Sequence, residues 1–120
     1  MTQVHSKVLI IDDEVDLSLL LKSYLTKKGY DTEIKHSISE GLIALKESQP
    51  TILFLDNNLP DGFGWEIAPQ LVSDYPEMFI FFISAFHPSR PVMPESSRFV
   101  VIEKPVSMAE IDRVFAENLS

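Results

Sequence analysis

Acidic side chains, a hydroxyl and a lysine stand at the ends of several short apolar stretches of this sequence. The stretch "KVLII" is followed by Asp12 and Asp13, and "TILFL" is followed by Asp56. The stretch "MFIFFIS" ends in Ser84, and "FVVIE" is followed by Lys104. Carboxylates that lie close together repel one another, and their charged forms need a cation. If the fold brings these stretches together, the set predicts a site for a hard cation such as Mg²⁺.

The same residue types suit a particular kind of chemistry. Mg²⁺ binds one or two carboxylates and keeps several waters. An amine and a hydroxyl beside the ion complete a cradle for an anion. A free carboxylate could then attack phosphorus in line, while the cation and the ammonium balance the charge on the equatorial oxygens. The set therefore points to phosphoryl transfer to an aspartate.

The elements that must position these groups alternate along the chain. Apolar or alternating stretches predict five strands, at residues 7–11, 30–35, 51–55, 78–84 and 99–103. Helical spacing of apolar residues predicts a first helix with Leu17, Leu20, Leu21, Tyr24 and Leu25 on one face, ended by Gly29.

Capping-box pairs mark the start of two further helices. Ser37 and Glu40 precede "GLIALKE", and Ser107 and Glu110 begin the last helix, whose apolar face is Ile111, Val114, Phe115 and Leu119. A third helix should follow near Trp65. Because an interior proline removes a hydrogen bond, Pro69 predicts that this helix is kinked or starts late.

This alternation predicts the fold class. Apolar strands that alternate with amphipathic helices form a parallel sheet covered on both faces. We expect an α/β protein with a doubly wound five-stranded parallel sheet, and in such sheets the ligand site lies beyond the carboxyl ends of the strands. The residues named above stand at those ends.

The bulk composition narrows the class of protein. With 120 residues we expect one domain, and 18 acidic against 10 basic side chains give a formal charge of -8. That charge argues against direct nucleic-acid binding. The chain has no cysteine, "MFIFFI" is too short to cross a bilayer, and no signal peptide follows Met1. We expect a cytoplasmic protein that contacts no membrane.

Four motifs together resemble one family, the receiver domains of two-component response regulators. They are "IIDDE", "LFLDNNLPDGFG", "FFISA" and "EKP", which occur in the family's order, at close to its usual spacing and each at a strand end. The resemblance covers essentially the whole chain. It implies a chemotaxis-regulator-like, flavodoxin-like fold with strand order 2-1-3-4-5.

The resemblance also implies a metal site. Asp56 matches the phosphoacceptor, and Asp13 and Asp56 match the side-chain Mg²⁺ ligands. The backbone carbonyl of Asn58 matches the third protein ligand. Asp12 matches the second member of the acidic pair, which acts through water or orients its neighbour.

Two further residues match the family's groups for the phosphoryl oxygens. Lys104 matches the lysine that pairs with those oxygens, and Ser84 matches the hydroxyl that moves toward the phosphoryl group. The resemblance also implies a cis peptide between Lys104 and Pro105.

Each of these residues alone has a plainer explanation. Asp12 and Asp13 could be acids favoured by a helix N-terminus. Asp56 could form a turn, Lys104 could be a solvated surface lysine, and Ser84 could bond to backbone. Four motifs in the family's order make all four explanations together improbable.

The sequence departs from the family after Ser84. Three prolines, Pro88, Pro91 and Pro94, cannot all fit a regular helix. We expect the fourth helix, between the last two strands, to be short or missing. Val101 stands where relatives carry an aromatic residue that rotates inward, and Phe99 lies two residues earlier on the same strand face.

A third departure is Phe86, which stands two residues after Ser84 where many relatives have a polar side chain. These differences favour a receiver that signals through another surface than the usual one. The first and last helices are the candidates.

The function implied is a phosphoacceptor switch that is phosphorylated on Asp56 with Mg²⁺. The switch catalyses only its own phosphorylation and dephosphorylation. The expected partners are a sensor histidine kinase or histidine phosphotransfer protein and a downstream protein, with a homodimer left open. Residues 1–120 would be a single receiver domain without an effector domain.

Two other functions compete with this one. The first is a receiver-like interaction module that does not depend on phosphorylation. The second is a phosphatase of the haloacid dehalogenase type. Asn58 opposes the phosphatase, because that family carries a second Asp two residues after its nucleophile.

Overall fold

The computed structural model describes residues 6–85, 93–94 and 97–119. Its strands are β1 (Lys7–Ile11), β2 (Asp31–Lys35), β3 (Ile52–Asp56), β4 (Asn58–Leu59), β5 (Gly62–Phe63), β6 (Phe79–Ser84) and β7 (Phe99–Glu103). Its helices are α1 (Val15–Lys27), α2 (Ile38–Ser48), α3 (Gly64–Asp74) and α4 (Met108–Leu119).

Five of the strands form one parallel sheet in the order β2-β1-β3-β6-β7. Counted without the short strands β4 and β5, this is the predicted order 2-1-3-4-5. The prediction of a doubly wound sheet is therefore confirmed. Two short strands that were not predicted, β4 and β5, pair as an antiparallel hairpin directly after β3.

The core lies on both faces of the sheet. One buried cluster joins β-strand residues to α1 and α4, through side chains such as Leu21, Leu25 and Phe115. The other joins the opposite face to α2 and α3, through Leu45 and Trp65 among others. Every residue of β3 and of β6 is buried, as expected for strands covered on both sides.

The predicted helix boundaries are largely confirmed. The Ser37 hydroxyl accepts a hydrogen bond from the Glu40 amide, and the Ser107 hydroxyl accepts one from the Glu110 amide. Gly29 follows the end of α1 with φ +94, a left-handed conformation that favours glycine. The predicted apolar face of α1 was wrong at one position, because Leu20 lies 55% exposed on the outer side.

The third helix was predicted to be kinked or to start late. It begins at Gly64 and contains Pro69 in its interior, so a late start is wrong. The missing amide of a proline leaves one helical carbonyl without its usual donor. Packing outweighs that loss, since the flanking residues Ala68, Leu71 and Val72 are buried.

The described residues between β6 and β7 contain no helix. The prediction for the proline segment rests mainly on Pro88 and Pro91, which lie outside the described residues, as does Phe86. No helix in residues 6–85, 93–94 and 97–119 is long and apolar enough to span a bilayer.

Candidate functional site

The carboxyl ends of four neighbouring strands meet at one edge of the sheet. Asp56, the last residue of β3, is paired with Ile83 of β6, and Ser84 is paired with Glu103 of β7. Asp12 directly follows β1, and its amide donates a hydrogen bond to the Lys35 carbonyl at the end of β2. The strand order therefore places the predicted site residues at the same edge.

Three carboxylates form a cluster at this edge. One oxygen from each of Asp12, Asp13 and Asp56 lies within 4.8 Å of the others. Asp12 and Asp56 are each only 1% exposed, whereas Asp13 is exposed. The cluster is therefore open to solvent on the side of Asp13.

Lys104 places its ammonium between two carboxylates. Its Nζ lies 3.2 Å from Asp56 Oδ1 and 3.4 Å from Glu14 Oε2. The Lys104–Pro105 peptide is cis, as the resemblance implied. The Lys104 side chain is 22% exposed, so its charge acts on the buried Asp56 carboxylate from the partly exposed edge of the site.

Burial changes the protonation of the cluster. It raises the pKa of Asp12 to about 7, and the nearby Asp56 carboxylate adds to the rise, although a hydrogen bond from the Glu14 amide lowers it. Burial also raises the pKa of Asp56, and Lys104 only partly reverses this. Burial alone would lower the pKa of Lys104, but the Asp56 and Glu14 carboxylates raise it overall.

The oxygen atoms of the cluster suit a hard divalent cation. Asp12 Oδ2 and Asp56 Oδ2 are buried and accept no hydrogen bond within the part of the chain that the structure describes. Buried carboxylate oxygens without partners are costly. A cation between them would satisfy both and favour their charged forms.

Two further predicted site residues lie outside the cluster of three carboxylates. Ser84 is 1% exposed at the end of β6, and its carbonyl accepts a hydrogen bond from the Lys104 amide. Asn58 lies exposed at the start of β4, two residues after Asp56. Val101 and Phe99 both pack against the core on the α2 and α3 side of the sheet.

The loop after Asp56 is held by hydrogen bonds to two helices. The side-chain oxygen of Asn57 accepts from the Trp65 amide, and its carbonyl accepts from the Gly64 amide, both at the start of α3. The carboxylate of Asp61 accepts from the first two amides of α2, at 2.8 and 2.9 Å. The hairpin of β4 and β5 therefore connects the candidate site to both helices.

Three residues for which no role was predicted lie around the site. Glu14 contacts Lys104, His36 Nδ1 lies 2.9 Å from the Asp12 carbonyl, and Asp61 caps α2. An Asp before Gly in a loop suggests only a local turn. The partner of Asp61 is 22 or more positions away in sequence, so no local signal could identify it.

The chain matches a family model described as "Response regulator receiver domain" over residues 8–115. Among curated proteins it is 32% identical over 76 residues to the uncharacterized transcriptional regulatory protein YvcP of Bacillus subtilis. The aligned residues make up 62% of this chain and 32% of YvcP. The chain is 34% identical over 77 residues to the transcriptional regulatory protein YxdJ of the same organism, again 62% of this chain and 34% of YxdJ. The matched region is thus about a third of each relative.

Solved structures show the same fold. TrrA of Thermotoga maritima, a response regulator protein solved in complex with Mg²⁺-BeF, superimposes with a TM-score of 0.78 at 21% identity, covering 95% of this chain and 99% of TrrA. A CheY-like receiver domain protein from Methanospirillum hungatei gives a TM-score of 0.78 at 22% identity, covering 95% and 93%. At this identity the likeness concerns the fold alone.

Proposed function

The chain belongs to the response regulator receiver family of two-component signalling, and from that premise we propose that it accepts a phosphoryl group on Asp56 in a Mg²⁺-dependent reaction. Receiver domains are switch modules rather than metabolic enzymes. The proposal adds to that general role an acceptor residue, a metal requirement and a set of supporting side chains.

One observation carries the proposal. The buried Asp56 carboxylate lies both in the cluster with Asp12 and Asp13 and in ion-pair contact with Lys104. An acid exposed at the surface would need neither the neighbouring carboxylates nor the ion pair. A nucleophilic carboxylate needs a cation to offset the charge of the incoming phosphoryl group and an ammonium to bind its oxygens, and both requirements can be met here.

Mg²⁺ held by Asp13, Asp56 and the Asn58 carbonyl, with Asp12 acting through water, would neutralise charge on the phosphoryl oxygens. The free oxygen of Asp56 attacks phosphorus as the bond from phosphorus to the donor breaks. When the donor is a phosphohistidine, the electrons of the phosphorus–nitrogen bond stay on the imidazole, which takes up a proton. Asp56 then carries an acyl phosphate.

The remaining side chains act on the transferred group. Lys104 moves its ammonium from the Asp56 carboxylate to a phosphoryl oxygen, a distance that its flexible side chain can cover. The Ser84 hydroxyl, at the end of the neighbouring strand, donates to another oxygen. The acyl phosphate thereby alters the charge at the ends of β3, β6 and β7, which shifts a two-state equilibrium.

The phosphoryl donor has a suitable surface next to the site. A cleft of about 600 Å³ is lined by Leu17 and Leu20 of α1 together with Lys104, Pro105 and Val106. Leu20 is 55% exposed, so it offers apolar surface to a partner. An amphipathic helix of a histidine kinase or phosphotransfer protein would bury these side chains and bring its phosphohistidine to Asp56.

The alternative function, an interaction module that does not use phosphate, is less favoured. Such a module would not need Asp12 and Asp56 buried with unsatisfied oxygens, because unpaired buried carboxylates only destabilise the fold. The downstream partner and any effector domain of the whole protein stay proposals, since the matched relatives are about three times as long as the matched region.

Chemical trapping tests the proposed acceptor. The protein is incubated with phosphoramidate and Mg²⁺, then treated with borohydride, which reduces an acyl phosphate to an alcohol. Peptide mass spectrometry should locate the reduced residue at position 56. An Asp56→Asn variant serves as the control. A reduced residue elsewhere, or none in folded protein, would contradict the proposal.

A further inference from the structure

Glu14 is the residue outside the predicted site that the structure connects most directly to it. Its carboxylate lies 3.4 Å from Lys104 Nζ, and its backbone amide donates to Asp12 Oδ1 at 2.8 Å. The Glu14 side chain is 57% exposed, against 1% for Asp56. Lys104 therefore joins a buried carboxylate to one at the mouth of the site.

We infer that Glu14 is a positioning residue that competes with the incoming phosphoryl group for the Lys104 ammonium. The inference rests on the proposed phosphorylation of Asp56. An ammonium has three donors, and here it faces two carboxylates. When a phosphoryl group arrives, Lys104 must turn toward the new oxygens, so its contact with Glu14 is weakened or lost.

The negative charge of Glu14 also slows phosphorylation. Glu14 and Asp16 line the same cleft as Lys104, where the donor is proposed to dock. Phosphodonors are anions, and a carboxylate at the entrance repels them. Glu14 therefore slows phosphorylation in two ways, by holding the ammonium and by repelling the donor.

Asp16 separates these two effects. It is an exposed carboxylate of the same cleft, and among the described residues it forms no ion pair with Lys104. Asp16→Asn removes one negative charge from the entrance and leaves the ammonium where it is. Glu14→Gln removes the same charge and also weakens the contact with Lys104. Both variants keep the hydrogen bond that the backbone amide of residue 14 donates to the Asp12 carboxylate.

The test measures the rate of phosphorylation at Asp56 with acetyl phosphate for the wild type and both variants. Exposed ion pairs are weak, so we expect Glu14→Gln to react about two- to fivefold faster than the wild type. Asp16→Asn should gain less. The advantage of Glu14→Gln should shrink as ionic strength rises, because salt screens exposed charges.

A second readout needs neither metal nor phosphoryl group. In protein labelled with ¹³C at lysine, Glu14→Gln should shift the side-chain Cε resonance of Lys104, and Asp16→Asn should leave it in place. Equal rates and an unshifted Lys104 signal in Glu14→Gln would overturn the inference, as would a slower rate. If Asp56 is not phosphorylated in the wild type, the proposed function itself fails. Normal phosphorylation with no difference between the variants overturns only the role of Glu14.

Discussion

The ammonium of Lys104 lies 3.2 Å from the Asp56 carboxylate, although β6 lies between β3, which ends in Asp56, and β7, which Lys104 directly follows. The contact is possible because all three strands run parallel and end at the same edge of the sheet. It places a cation beside a carboxylate that is 1% exposed. The charge of Asp56 is therefore tied to the position of Lys104.

Replacing Lys104 should separate metal binding from phosphoryl transfer. Lys104→Met removes a positive charge that repels Mg²⁺, so Mg²⁺ should bind more tightly in a calorimetric titration. The variant also loses the donor to the phosphoryl oxygens, and phosphorylation should slow by about a hundredfold. Lys46→Met, an exposed lysine of α2, is the control and should change neither. Weaker Mg²⁺ binding in Lys104→Met would contradict this account of the site.

Stability of the metal-free protein should fall as the pH rises from about 4 to about 7. The pKa of Asp12 is raised from its ordinary 3.8 to about 7, so the folded state holds more protons than the unfolded state in that range. The loss is on the order of 2–4 kcal/mol in free energy of unfolding. Urea denaturation with a chelator, at several pH values, measures it.

The control for this pH dependence is Asp12→Asn, which keeps an acceptor for the Glu14 amide but cannot ionise. We expect it to flatten the curve and to be more stable than the wild type near neutral pH. Saturating Mg²⁺ should also flatten the wild-type curve, because the cation favours the charged carboxylates. A pH dependence in the metal-free wild type that is the same as that of Asp12→Asn would show that the pKa of Asp12 is not raised.

Gly64 should tolerate no side chain. A Cβ at this position would lie 2.7 Å from the Asp56 carbonyl and 3.0 Å from Leu55 Cγ, so Gly64→Ala must push the end of β3. We expect a loss of about 1–3 kcal/mol in free energy of unfolding, together with weaker Mg²⁺ binding. Gly29→Ala meets no atom within 4 Å and precedes β2 at the opposite end of the strands, so it should cost only the strain of its left-handed conformation and leave Mg²⁺ binding unchanged. Equal Mg²⁺ affinity for Gly64→Ala and the wild type would count against this view.

Asp61 should hold the start of α2. Hydrogen bonds from the amides of Ile38 and Ser39 lower the pKa of its carboxyl, so the charged form stabilises the folded state above the ordinary pKa of an aspartate. Asp61→Ala should lower the melting temperature and speed hydrogen exchange at those two amides. Glu47→Ala, an exposed acid of the same helix, should do neither. Unchanged exchange in Asp61→Ala would mean that the contact is not maintained in solution.

The sheet and the order of its strands could be predicted because each strand carries its own apolar signal. All five main strands were placed to within one residue, and the two capping serines were identified from their neighbours three positions on. The edge at which Asp56 and Lys104 meet then follows from parallel topology alone.

What the sequence did not reveal depends on contacts between distant segments. The hairpin of β4 and β5 has only two residues in each strand, too few for an alternating pattern. The hydrogen bonds that Asp61 accepts from α2 join residues far apart in the sequence. The same is true of the ion pair between Glu14 and Lys104, and no local sequence pattern predicts either contact. The late start predicted for α3 was wrong for a similar reason, since tertiary packing keeps the turn before Pro69 helical.

The central claim is that Asp56 accepts a phosphoryl group when Mg²⁺ is present. The most direct test is the intact-protein mass after incubation with a small phosphodonor and Mg²⁺, beside an Asp56→Ala control and a sample with chelator. We predict a gain of one phosphoryl group in the wild type that is lost in both controls. No gain in folded protein that binds Mg²⁺, or an equal gain in Asp56→Ala, would contradict the account.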